Sequence, residues 1–286
     1  PGGGGGGGSG GGGESGGVGV GGVGVGRGGA GGGGRGGQAG ALVDGVPGWR
    51  PMPRDGAPVV GVVPGIGGLY LAVMHAGSIL APVTGRLAAA EILETSKRPV
   101  FVVGSQLRWS SDRDALRQFL TPFELPTFVN GMARGSVPLD SACFFKRSRS
   151  WALKKADAVF IFGTPFDFRL KYGHAIPKGV KIVQVDLDST VLGHNRGIDV
   201  GVPADSGQFI AALEASVKPR KGGDWLAEVQ VEEDKKLEAM AVEMRADGDP
   251  PNPLRVCAEV AKYVEEDTIV VGDGGDFVAA LLNAVA

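Results

Sequence analysis

The sequence is poor in the residues that most often announce chemistry. Its 286 residues include two cysteines, three histidines and three tyrosines. Cys143 and Cys257 stand far apart and in no C-x-x-C pair, which argues against a disulfide framework and a structural zinc site. His75, His174 and His194 are scattered, with no H-E-x-x-H or comparable ligand spacing, so no metal site is expected. A G-x-G-x-x-G following a strand is missing, and Gly65-Ile-Gly-Gly68 does not satisfy that spacing. A P-loop, a G-x-S-x-G elbow and a Ser/His/Asp set are missing too, and no catalytic residue is assigned. Charge is nearly balanced at a formal −2, which argues against nucleic acid or an anionic membrane surface as partner.

Glycine is what the chain has in excess. More than half of its 52 glycines fall within residues 1–40. Such a tract has almost no apolar side chain to bury, so its backbone entropy cost goes unrecovered and disorder is expected. It carries only Arg27 and Arg35 and no aromatic residue, unlike an RNA-binding Arg-Gly segment. The longest apolar run, Val59 to Val83, is long enough for a membrane helix. Pro64, Gly65, Gly67, Gly68, Gly77 and Pro82 weigh against a helix there, so membrane association is the weaker reading.

From residue 86 the pattern becomes regular. Helices are expected over 86–95, 111–120, 149–155, 206–217, 225–246 and 254–264. An apolar run without alternation, as in a strand buried on both faces, occupies 99–103, and further strands are expected over 126–129, 158–162, 180–186, 198–202 and 268–271. Strand and helix alternate with short loops, which predicts an α/β fold with a doubly wound parallel sheet. The expected organisation is a Gly-rich tract (1–50), a degenerate or linker segment (51–85), a central nucleotide-cofactor-binding domain (86–220), a linker helix (221–250) and the start of a further α/β domain (251–286). Pro1 in place of an initial Met, and a last domain broken off near its first strand, read as a fragment.

In parallel α/β sheets ligands bind beyond the carboxyl ends of the strands. That rule selects the loops 104–106, 130–135, 163–169 and 186–188. Gly104 and Gly163 would let a ligand approach the backbone, although glycines after strands are often simple turns. Arg134 and Arg169 could hold phosphate, although Arg134 could instead pair with Asp140 and Arg169 with Asp167. Asp186 ends a strand, where an acid often accepts from ribose or adenine. Together these describe a nucleotide site with a basic and an acidic end.

The segments Lys97-Arg-Pro-Val-Phe-Val-Val-Gly-Ser-Gln106, Asn130-Gly-Met-Ala-Arg-Gly135, Ala152-Leu-Lys-Lys-Ala-Asp157 and Gly163-Thr-Pro-Phe-Asp-Phe-Arg-Leu-Lys-Tyr-Gly173 carry a family resemblance. As an ordered set they resemble the central domain of thiamine-diphosphate enzymes, in the acetolactate synthase-like or 2-hydroxyacyl-CoA lyase 2 branch. Asn252-Pro253 through Gly272-Asp-Gly-Gly-Asp-Phe277 resembles the opening of that family's diphosphate-binding domain. The resemblance implies FAD or ADP on the central domain, with Gly104, Ser105, Arg134, Gly163, Thr164, Asp167 and Arg169 near its diphosphate. It implies Asp186, Asp188 and Asp205 towards the adenosine. Gly274, Gly275 and Asp276 match the loop that approaches thiamine diphosphate, which the family binds with Mg2+.

The resemblance further implies a small-molecule substrate, a 2-keto acid or 2-hydroxyacyl-CoA, and a homo-oligomer, dimer or tetramer. The family's activating glutamate and metal-binding GDG and asparagine segment have no counterpart in these residues. The expectation is a carboligase or lyase fragment, inactive alone. The alternatives are a non-catalytic nucleotide-binding module and a membrane-associated family member. Location in the cell is left open.

Overall fold

Three central strand segments explain the architecture, because each feeds both faces of one sheet. The computed structural model describes residues 59–62, 70–73, 77–265, 267–272 and 275–284. The Gly-rich tract and its expected disorder lie outside them. Within residues 1–75, β1 (Val59–Val62) and β2 (Tyr70–Val73) form an antiparallel pair, with Val59 opposite Val73 and Val62 opposite Tyr70.

Residues 76–286 form a second compact unit. Its elements are α1 (Gly77–Thr95), β3 (Pro99–Val103), α2 (Ala115–Leu120), β4 (Thr127–Val129), α3 (Arg149–Lys155), β5 (Ala158–Phe162), β6 (Lys181–Asp186), β7 (Val200–Pro203), α4 (Ser206–Glu214), α5 (Gly223–Glu243), α6 (Pro253–Ala261) and α7 (Gly275–Ala284). The five strands are all parallel, in the order β4-β3-β5-β6-β7. The expected doubly wound α/β sheet is therefore present.

Pleating sends alternate residues of each strand to opposite faces. Phe101, Val103, Phe160, Phe162, Val183 and Val185 point to one side, where Leu93 of α1, Leu116 and Phe119 of α2, and Phe209 and Leu213 of α4 meet them. Phe101 contacts the rings of Phe119, Phe160 and Phe162 at 5.0–5.2 Å, which gives this face an aromatic centre. Val100, Val102, Val159, Ile161 and Ile182 point to the other side, against Leu153 of α3 and Trp225 and Val229 of α5. Each fully buried large apolar side chain stabilises by about 1.5–3 kcal/mol. The runs lack alternation because neither face is left to water.

Helix ends differ from the expected ones for identifiable reasons. The chain is helical from Gly77, with Pro82 inside α1, so of the run 59–83 the described residues belong to β1, β2 and this helix. Among the described residues no helix is long and apolar enough to cross a membrane. The stretch before α2 is not helical up to Asp114, because Ser110 Oγ takes the Asp112 amide at 3.0 Å and holds a turn there. At α6 the Asn252 side chain accepts from Leu254 N at 2.8 Å and Pro253 occupies the first turn, a well-capped start.

The expected strand at 268–271 is not formed. Ile269 and Val271 are 88% and 87% exposed. A parallel strand needs hydrogen-bonded neighbours, and no described strand lies beside this one.

Candidate functional site

The strand order puts the reversal of winding between β3 and β5. The chain leaves β3 towards α2 on the first face, and leaves β5 towards Leu170 and Ile176 on the second. A crevice at the carboxyl ends of such strands is where open α/β sheets bind ligands. Gly104 and Gly163, the first residues beyond these two strands, stand side by side there. Gly104 N donates to the Phe162 carbonyl at 2.7 Å, and Gly163 N to that of Val185 at 2.8 Å.

Both glycines are demanded by the protein's own packing. A Cβ on Gly104 would run into the Gly163 carbonyl and Thr164 Cβ, both inside van der Waals contact. Gly163 has φ +58°, and a Cβ there would meet Gln106 Cβ and Ser206 Oγ. Thr164 is buried directly behind this contact.

On one side of the crevice the loops after β3, β4 and β5 converge. Ser105 opens a 3₁₀ turn, Ser105–Trp109, and its Oγ accepts from Met132 N at 3.2 Å. Gly131, at φ +54°, leaves no room for a Cβ against that same Oγ, and Arg169 Nη1 lies just beyond. Arg169 is held by Asp167, whose Oδ2 accepts from Arg169 Nε at 2.9 Å and Nη2 at 2.5 Å, while Oδ1 caps the following turn through Arg169 N at 2.9 Å. That pairing holds the Asp167 carboxyl below its ordinary range and raises the Arg169 guanidinium.

Arg149, the first residue of α3, reaches into the same place. Its guanidinium donates to Asn130 Oδ1 and, at 3.2 Å, to the Arg169 carbonyl. Burial lowers its pKa, and the charges of Arg134 and Arg169 lower it further. An arginine keeps its proton regardless, so this is an electrostatic cost that the fold retains. Among the described residues Arg134 and Arg149 have no ion pair, Asp140 included, and Arg134 donates only to the Gly131 carbonyl at 3.5 Å. Of these three guanidinium groups only that of Arg169 is paired with a carboxylate. Asn130 Nδ2, in a residue 5% exposed, has no hydrogen-bond partner.

The other side of the crevice is acidic but self-satisfied. Asp186, 1% exposed, accepts from Gln106 Nε2 at 2.6 Å and Asp188 N at 2.9 Å, and Gln106 Oε1 accepts from Leu187 N at 3.2 Å. Asp188 accepts from Thr190 Oγ1 and N, which hold its carboxyl below the ordinary range. Asp205 caps α4 through Gln208 N at 3.0 Å and takes the hydroxyl of Ser110. Ser206 Oγ, buried beside Gly163, has no partner.

Ten expected site residues therefore meet at this edge: Gly104, Ser105, Arg134, Gly163, Thr164, Asp167, Arg169, Asp186, Asp188 and Asp205. Gly275 opens α7, which contacts α6 where Phe277 O lies 4.0 Å from Cys257 Sγ. Gly274 and the side chain of Asp276 lie outside the described residues. Among the described residues no three His, Cys, Asp or Glu side chains are grouped to hold a metal ion. Sequence reasoning missed Arg149. Its signal was a cation in the first turn of a helix, where the helix dipole disfavours it.

The order β4-β3-β5-β6-β7 with every strand parallel, and helices on both faces, defines an open doubly wound α/β domain. Residues 87–213 match the family described as "Thiamine pyrophosphate enzyme, central domain", and this segment is such a domain. The chain is 35% identical over 189 residues to a probable acetolactate synthase of Mycobacterium bovis, covering 66% of this chain and 34% of that one. It is 34% identical over 203 residues to 2-hydroxyacyl-CoA lyase 2 of Homo sapiens (68% and 32%), and 32% over 199 to that of Danio rerio (66% and 32%). The chain spans about a third of the length of these curated relatives.

Proposed function

We propose that residues 86–220 are the nucleotide-holding domain of a thiamine-diphosphate-dependent carboligase or lyase, with FAD or ADP at the edge between β3 and β5. The observation that carries this reading is the arginine set: Arg134 and Arg169 repel Arg149, only Arg169 has an ion pair, and a buried Asn130 Nδ2 beside them has no partner. Concentrating cations without counter-charge is unfavourable unless an anion completes the site, and guanidinium forks suit phosphate oxygens.

The residues fit a dinucleotide or nucleoside diphosphate. Arg169, fixed by Asp167, and Arg149, fixed by Asn130, would hold the diphosphate, with Arg134 at the rim. Ser105 and Gly131 keep the wall between them low. Asp188 and Leu187, exposed after β6, would face the ribose and adenine. Asp186, Gly104 and Thr164 would shape the floor through internal contacts instead of touching the ligand. Asp205 would do the same by fixing the start of α4.

A full site for thiamine diphosphate and Mg2+ is not formed by the described residues, and no step is derived through it; Gly274, Gly275 and Asp276 remain its proposed contribution. Bound thiamine diphosphate supplies the carbanion chemistry in this enzyme class. The residues in hand would bind and orient the nucleotide and exclude water from its diphosphate. The substrate proposed from the relatives' names is a 2-keto acid or 2-hydroxyacyl-CoA, handled by a homo-oligomer. The test is purification of the chain followed by a flavin absorption spectrum and thermal melts with ADP and FAD. A flavin spectrum, or a melting temperature that rises with either nucleotide, is expected. No flavin and no shift with either would refute the reading.

A further inference from the structure

One buried carboxylate stands outside the nucleotide edge and outside the matched segment. Glu233 lies in α5, on the helix read from sequence as a linker. It is 8% exposed. Its two oxygens accept from the backbone of Lys146 (3.1 Å), Arg147 (2.9 and 3.0 Å) and Ser148 (2.8 Å), from Ser148 Oγ (2.7 Å), and from Arg147 Nη1 (3.4 Å). These amides lie immediately before α3, the last of them at its N-cap residue. Ser148 provides no side-chain cap to its own helix. A carboxylate from a helix some 85 residues further on instead holds the three amides that lead into α3.

The residue immediately after this clamp is Arg149, whose side chain joins Asn130 to the Arg169 carbonyl. The α5 helix is itself anchored, with Trp225 stacked on Trp151 of α3 at 5.8 Å and its Nε1 donating to the Pro99 carbonyl at 3.0 Å. From these contacts we infer that Glu233 is a positioning residue. It fixes the start of α3 so that Arg149 bridges the loops after β4 and β5, and so ties α5 to the anion-facing edge. For its ligand this rests on the nucleotide reading above; for the geometry it does not.

The test separates the two. Hydrogen exchange of the whole chain is measured without nucleotide for Glu233→Gln, Arg149→Ala, the double variant, and Leu93→Ala as a destabilised control on the opposite face. Positioning predicts faster exchange in peptides covering 130–134 and 168–172 for Glu233→Gln and Arg149→Ala, with no further increase in the double variant, and none in the control. Residues that act through one another are non-additive in this way. Unchanged exchange in Glu233→Gln, or an equal rise in the control, overturns the inference.

ADP affinity is then measured on the same proteins. Loss of about tenfold is expected for Glu233→Gln, and no additional loss in the Arg149→Ala background. Full affinity in a folded Glu233→Gln protein overturns the link to the ligand. If the wild-type chain binds neither ADP nor FAD, the nucleotide reading fails and the exchange data alone decide the coupling. If Glu233→Gln does not fold, Ser148→Ala removes one donor only and is expected to act in the same direction with smaller size; no change there overturns the inference.

Discussion

Gly104 and Arg169 illustrate two ways in which a single residue serves the edge of the sheet. Gly104 is needed because the Gly163 carbonyl and Thr164 Cβ fill the space a side chain would take. Gly104→Ala should therefore destabilise the fold by about 1–3 kcal/mol, the usual range for overpacking against atoms that cannot move aside. Urea unfolding measures this, and a cost below the error of the method would show that the strand ends can separate freely. Arg169 is 2.5 Å from Asp167 but partly exposed, and a pair of this kind adds little stability. Arg169→Glu should leave the melting temperature nearly unchanged while weakening ADP binding by tenfold or more, on the order of one charge-assisted hydrogen bond. A large stability loss with unchanged affinity would make the residue structural. The importance of glycine after β3 and β5 was legible in the sequence, but its cause was not: the two loops approach each other across the sheet, and no local pattern encodes that distance. For Arg149 the local sign was only a cation opening a helix, and the folded arrangement alone shows where that side chain points.

At the level of elements, the long helix α5 changes most between pattern and structure. It is polar over most of its length, which made it read as a connector, yet Trp225 and Val229 are buried in the second core cluster. Trp225→Ala should cost about 3–5 kcal/mol, as for other buried large-to-small changes; chemical denaturation with no shift would show α5 to be detached. Its Glu233 carboxyl also links the element to pH. Burial pushes that group up, but hydrogen bonds from Ser148 Oγ and the amides of Ser148, Arg147 and Lys146 outweigh it, leaving it below the ordinary value of 4.5. A lowered folded pKa gives stability that is complete above the unfolded value and is lost as pH falls through the folded one. Glu233→Gln should thus melt well below wild type near about pH 7, and the gap should narrow towards about pH 3 as the wild-type carboxylate is protonated. A gap that stays constant across that range would remove Glu233 as its source. β3 and β5 were legible because burial on both faces leaves unbroken apolar runs. The stretch 268–271 carries the same signal, but its exposed Ile269 and Val271 show that an apolar run specifies a strand only where a neighbouring strand can pair with it.

For the molecule as a whole, topology and charge meet at one place. The order β4-β3-β5-β6-β7 reverses its winding between β3 and β5, and the loops on one side of that point hold Arg134, Arg149 and Arg169, of which only Arg169 has an ion pair. Neither feature depends on a sequence fingerprint, which is why the usual glycine signature of dinucleotide sites was missing and four strand-end loops still located the edge. The central claim is that this edge holds a nucleotide diphosphate. Calorimetric titration of ADP and FAD into the whole chain, beside Arg169→Glu and Arg149→Glu, tests it most directly. Saturable one-to-one binding of at least one nucleotide, weakened by both charge reversals, is the result expected; no saturable binding of either, or binding indifferent to both substitutions, would contradict the claim.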